Sequence, residues 1–194
     1  LEVLVRFVRV GTDRTLQETI SERTNSQNAI TLRDLSSNDD KQIALQAEFN
    51  QYFGHKYFYS LRRGENTGTS TPLFNEDAGR LLLSVYCREP DKTFRRGPIL
   101  DSLRERIFSF DTDAFRIRLC QIIFDAVTDA LKQARYKPIQ DYAGARYFLA
   151  FAVSEMMRSD PSGVILLETP KLFLATDDNP RDTEQKIVSE LKRL

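Results

Sequence analysis

Five consecutive side chains, Thr24, Asn25, Ser26, Gln27 and Asn28, carry hydroxyls and carboxamides able to donate and accept hydrogen bonds. Such a run either braces the backbone of its own loop or holds a polar ligand, and both uses stay open. A second cluster joins Tyr57, Phe58 and Tyr59 to Arg62, Arg63 and Gly64. Aromatic faces beside guanidinium groups are what a single-stranded nucleic acid needs, since bases stack and phosphates are neutralised. An edge strand followed by solvated arginines has the same composition. Arg95 and Arg96, followed by Gly97, form a second basic step, diluted by Glu89 and Asp91.

The remaining reactive types read as structural. His55 follows Gly54 at the expected end of a helix, where an imidazole interacts with the helix dipole. Cys87 and Cys120 sit alone among apolar neighbours, the ordinary setting of a small buried hydrophobe. Asp39-Asp40 and Glu76-Asp77 stand where helices start, so capping explains them better than a divalent cation does. No P-loop, GxSxG, HExxH, GxGxxG or EF-hand pattern occurs. No catalytic residue, metal site or cofactor is therefore expected, and enzymatic activity is left open.

The 194 residues hold 28 Lys+Arg and 28 Asp+Glu, so the formal net charge is zero and no global field gathers phosphates. Any nucleic-acid contact must be local. A hydrophobic fraction of 41% supplies a packable core, and no apolar run approaches the length of a membrane span. The expectation is a cytoplasmic protein without a membrane partner. The chain opens on Leu1, and its two methionines are Met156 and Met157, as expected of an internal piece of a longer protein.

These groups need elements to hold them. Leu1–Val10 is apolar on both faces and reads as a buried strand, whose unpaired edge would suit a second copy of the chain. A short helix to about Arg23 and a polar loop over 24–40 follow. Asp39 then caps a helix with Leu45, Phe49, Tyr52 and Phe53 on one face, ending at Gly54. KYFYSL (56–61) reads as a strand, and a loop closed by Pro72 follows it. From Asn75 the period is helical. One helix runs to a stop at Pro90, a shorter one covers 99–108, and a long one is capped by Asp111 or Thr112. A helix from Ile139 to about Arg158, containing Phe148, Leu149 and Phe151, is apolar all round and expected to be central. Val164–Leu167 and Leu172–Ala175 read as extended, and Thr183–Leu194 as a final amphipathic helix. The fold class is thus α+β, predominantly helical. An α/β segment over 1–72 and a mainly helical segment over 73–194 share one core.

In their order, Thr24-Asn25-Ser26-Gln27-Asn28, Asp34-Leu35, Asp39, Gln42, Phe49, Tyr57–Tyr59 and Arg63-Gly64 resemble the abortive-infection phage-resistance (AIPR) family. The likeness covers residues 1 to about 66 well, and the helical remainder, including Arg106-Ile107-Phe108, loosely. It places Asp34 beside the polar run as a ligand-binding or loop-bracing residue. Family proteins are longer, with an upstream Asn/Asp-Gly-x-Gln-type motif and, in some, a nuclease-like part. The resemblance implies a piece of a bacterial antiphage defence protein that positions or regulates an upstream effector in the same chain. The alternative is that Thr24–Asn28 completes a nuclease or nucleotide-processing site begun upstream.

Overall fold

The computed structural model describes residues 39–62, 64–109, 111–133, 142, 144–175 and 180–193. The side chains of residues 180–183, 190, 192 and 193 fall outside that description. All described residues belong to one unit, Leu32–Leu194. The Leu1–Val10 strand with its pairing edge, the short helix to Arg23, and the polar run Thr24–Asn28 with Asp34 lie outside the described residues.

Helix α1 (Asp40–Phe53) starts as its sequence dictates, with the Asp39 carboxylate accepting from the Lys41 backbone N–H at 3.0 Å. Leu45, Phe49 and Phe53 are buried at i, i+4 spacing, and Gly54 closes the last turn. Tyr52 stays 39% exposed, its ring lying 4.8 Å from that of Phe115. Strand β1 (Tyr57–Ser60) follows and pairs in parallel with β2 (Thr71–Phe74), Ser60 lying opposite Phe74. The loop joining them has Gly64 and Gly68 at φ +74° and +59°, which a residue with a Cβ adopts only with strain. The closing proline of that loop is itself a strand residue. Pro72 lacks an N–H, and β2 tolerates it as an edge strand.

Helix α2 (Asn75–Val85) leads directly out of β2. Pro90 does not stop it. Arg88 at φ +60° and the Glu89 N–H bonded to Leu83 O at 2.9 Å already turn the chain, and Pro90 instead opens a 3-10 helix (Pro90–Phe94). The helix expected over 99–108 is split into a 3-10 turn at Gly97–Leu100 and α3 (Arg104–Ile107). The cap of the long helix α4 (Ala114–Gln133) is Asp113 rather than Asp111 or Thr112. Its carboxylate accepts from the Arg116 N–H at 2.8 Å, while the Thr112 hydroxyl donates to Ile107 O.

Helix α4 is the central element, packed by α1, α2, α5 (Ala145–Arg158), α7 (Pro170–Leu174) and α8 (Pro180–Arg193). The expectation of a central helix around Phe148 fails. Phe148 and Leu149 are 39% and 37% exposed, and α5 buries Tyr147, Ala150, Ser154 and Met157 instead. Two segments expected to be extended are also helical. Asp160 caps α6 (Pro161–Glu168) by accepting from the Gly163 N–H at 2.9 Å, and a proline stands in the first turn of both α6 and α7. An apolar tetrapeptide carries no period that separates strand from helix, and here the capping chemistry decides. The core extends without a break from Leu45 on α1 to Ile187 on α8. Among the described residues no helix is long and apolar enough to cross a membrane.

Candidate functional site

Strand β1 is held on both sides. β2 pairs with one edge, and on the other the Asn50 carboxamide of α1 acts as a strand partner. Asn50 Oδ1 accepts from the Tyr59 N–H at 2.7 Å, and Asn50 Nδ2 donates to Tyr59 O at 3.3 Å. Gln46 Nε2, one turn earlier, donates to Tyr59 O at 3.0 Å and also reaches Glu65. Glu65 gathers the turn that follows, accepting from the Leu61 N–H at 2.9 Å and the Ser60 hydroxyl at 2.8 Å. Burial works to raise the Glu65 carboxyl, but hydrogen bonds from Ser60, Gln46 and the backbone of Arg62 and Leu61 outweigh it and hold it below the usual range. The turn is therefore fixed from inside, with Arg62 exposed on it.

The second basic step arrives at the same end of the strand pair. Arg96 lies 3.6 Å from Asp77 and 4.0 Å from Glu76, in the turn of α2 that emerges from β2 directly after Phe74. Arg80 fixes the preceding 3-10 segment, its Nε donating to Thr93 O at 2.8 Å and its guanidinium stacking 4.4 Å from the Tyr147 ring centroid. Arg95 and Arg96 are both exposed. Since Ser60 faces Phe74 in the parallel register, Arg62 follows the carboxyl end of β1, and Arg96 packs against the turn of α2 that follows the carboxyl end of β2. Arg63 lies outside the described residues.

Tyr57 and Tyr59 part company. Tyr59 is fully buried, its ring 5.8 Å from that of Phe49 and its hydroxyl donating to Gln42 Oε1 at 2.8 Å, so no face of it is open to a base. Burial pushes its phenol well up. Tyr57 instead borders a charged cleft of about 360 Å³ between β1, α4 and α8. Its hydroxyl donates to Asp125 at 3.0 Å, and the Arg118 guanidinium lies 4.6 Å from its ring centroid. Arg118, only 1% exposed, donates through Nε to Glu184 Oε1 at 2.9 Å and through Nη2 to the same oxygen, while Lys56 pairs with Glu184 Oε2 at 3.1 Å. Burial pushes the Asp125 carboxyl up, against the Tyr57 hydrogen bond and the Arg118 charge. Burial also acts upward on Glu184, but Arg118 and Lys56 overcome it and hold that carboxyl below the usual range. Lys56, Arg118 and Glu184 are committed to one another, Lys132 to Asp129, and Asp125 to the Tyr57 hydroxyl, so the chemistry of the cleft is that of a latch.

Arg118, Asp125 and Glu184 were not singled out by sequence reasoning, although a signal was present. Phe115, Arg118, Ile122 and Asp125 recur at i, i+3, i+7 and i+10, which places two charged residues on the face of α4 that packs inward. His55 is exposed beyond α1. Cys120 is buried in the core and Cys87 half-buried, both as free thiols.

The AIPR protein family model matches residues 1–169 of this chain. The chain belongs to that family, and membership implies a role in phage abortive-infection defence. No curated protein and no solved structure gives a match.

Proposed function

We propose that this region serves antiphage defence by positioning or regulating an effector elsewhere in the same protein, with a local contact to nucleic acid through Arg62, Arg63, Arg95 and Arg96. The observation that carries the reading is that Arg62 directly after β1 and Arg96 against the first turn of α2 directly after β2, distant in sequence, stand at the same end of the strand pair. Glu76 and Asp77 between them restrict the contact to a few phosphates. The positioning role is supported by the charged cleft, whose arginine, lysine and carboxylates tie α8 and β1 to α4. Fluorescence anisotropy of labelled single-stranded and duplex oligonucleotides at low salt tests it. The protein retains the oligonucleotide and the Arg62→Ala/Arg63→Ala/Arg95→Ala/Arg96→Ala variant does not. Equal retention by both overturns the nucleic-acid contact.

A further inference from the structure

At the far end of α2 from the acidic pair, a second cavity of about 350 Å³ opens between Tyr86 and Cys87, Arg106 of α3, Ser109 and Thr112 of the connection, and Arg116 in the first turn of α4. Its lining contains two arginines and no acidic residue. That balance is unlike the charged cleft, where acids and bases alternate. Arg106 is shared with Glu89, its Nη1 lying 3.0 Å from Glu89 Oε2. Arg116 is not shared in this way among the described residues. Asp113 spends its carboxylate on the Arg116 backbone N–H, and no carboxylate among the described residues forms an ion pair with the Arg116 side chain. Its guanidinium stacks 5.2 Å from the ring centroid of Tyr86, which is itself pinned by donating to Leu167 O at 2.9 Å.

A half-buried guanidinium held over a fixed ring and lining a cavity without acids is arranged to receive an anion. The first turn of a 20-residue helix adds its positive end in the same place. The neutral groups agree in sign: Ser109 offers a hydroxyl donor, and burial pushes the Cys87 thiol up, so it stays protonated beside the anion. We propose that this cavity binds the phosphate of a small phosphomonoester, with Arg116 and Arg106 as charged donors and Ser109 as a neutral one. Donors converging from two helices and the connection between them suit tetrahedral oxygens better than the single plane of a carboxylate. The volume lies in the range of small-molecule sites and accommodates more than a bare phosphate. The site is independent of the basic steps at β1 and β2, because Asp77 and Tyr86 stand about 14 Å apart along α2.

Isothermal titration of the 194-residue protein with adenosine 5′-monophosphate, inorganic phosphate and adenosine tests the proposal. The monophosphate binds saturably at one site, inorganic phosphate binds the same site more weakly, and adenosine does not bind. Arg116→Ala lowers monophosphate affinity by about tenfold or more, as expected for the loss of a charge-assisted contact, and Arg95→Ala/Arg96→Ala leaves it unchanged. A second readout needs no substitution: the monophosphate slows alkylation of Cys87 by iodoacetamide, because that thiol is on the cavity wall. Absence of saturable binding by both phosphate probes, equal affinity in folded Arg116→Ala, or unprotected Cys87 overturns it.

Discussion

Arg118 of α4 and Glu184 of α8 meet in a single ion pair, Nε and Nη2 both donating to Glu184 Oε1, and the arginine is almost wholly removed from water. A buried guanidinium that loses its carboxylate keeps the desolvation cost without the compensating charge. Glu184→Ala therefore destabilises the protein by about 3–5 kcal/mol in urea unfolding. The double variant Arg118→Met/Glu184→Leu recovers most of that loss, since an apolar pair removes both buried charges. A double variant as unstable as Glu184→Ala would show that the pair contributes more than mutual neutralisation.

The same pair sets a pH dependence. The Glu184 carboxyl titrates below its unfolded value, so its contribution is complete above the ordinary glutamate range of about 4.3 and is lost as pH falls through the lower folded value. Asp125 has the opposite sign. Its carboxyl is raised on folding, so its favourable contribution exists at low pH and disappears as pH rises through the folded value. Unfolding free energies measured between about pH 3 and pH 7 then fall less steeply on acidification for Glu184→Gln than for the parent, and more steeply for Asp125→Asn. Parallel profiles for all three proteins would contradict these assignments.

Asn50 gives α1 its hold on β1. Asn50→Ala leaves the Tyr59 N–H without its 2.7 Å acceptor in a part-buried setting and costs about 1–3 kcal/mol. Asn50→Asp keeps the acceptor and loses the donor to Tyr59 O, so it destabilises less than alanine near neutral pH. Hydrogen exchange at the Tyr59 amide reads the effect locally, and unchanged protection in Asn50→Ala would remove the edge-capping role.

How much was legible in the sequence depends on which force decides each element. α1 was readable from end to end, because Asp39, the Leu45–Phe49–Phe53 spacing and Gly54 all point to one helix. β1 was readable from its aromatic run, but β2 was hidden by Pro72, which marks a loop unless the strand is known to lie at an edge. α6 and α7 were hidden by composition, since Val164–Leu167 suits a strand until Asp160-Pro161 is read as cap and first turn. The misplaced core at Phe148 shows that an apolar helix surface does not say which face is covered. Phe115→Ala should cost about 3–5 kcal/mol and Phe148→Ala much less, by thermal or urea unfolding, and equal losses would place Phe148 in the packed core. Of the candidate site, Tyr57, Arg62, Arg95 and Arg96 were read from local composition. The spacing of Arg118 and Asp125 puts both on the inward face of α4, but Glu184 lies 66 residues from Arg118, and no local pattern encodes that contact.

The salt dependence of nucleic-acid affinity tests the central claim most directly. With zero net charge and two to four phosphates neutralised, log affinity should fall with log salt at a slope of about −2 to −4. Arg62→Ala/Arg63→Ala should flatten that slope by about 1–2 units, while His55→Ala leaves it unchanged. A slope unaffected by the arginine pair, or no binding at low salt, would contradict a local contact at the carboxyl end of the strand pair.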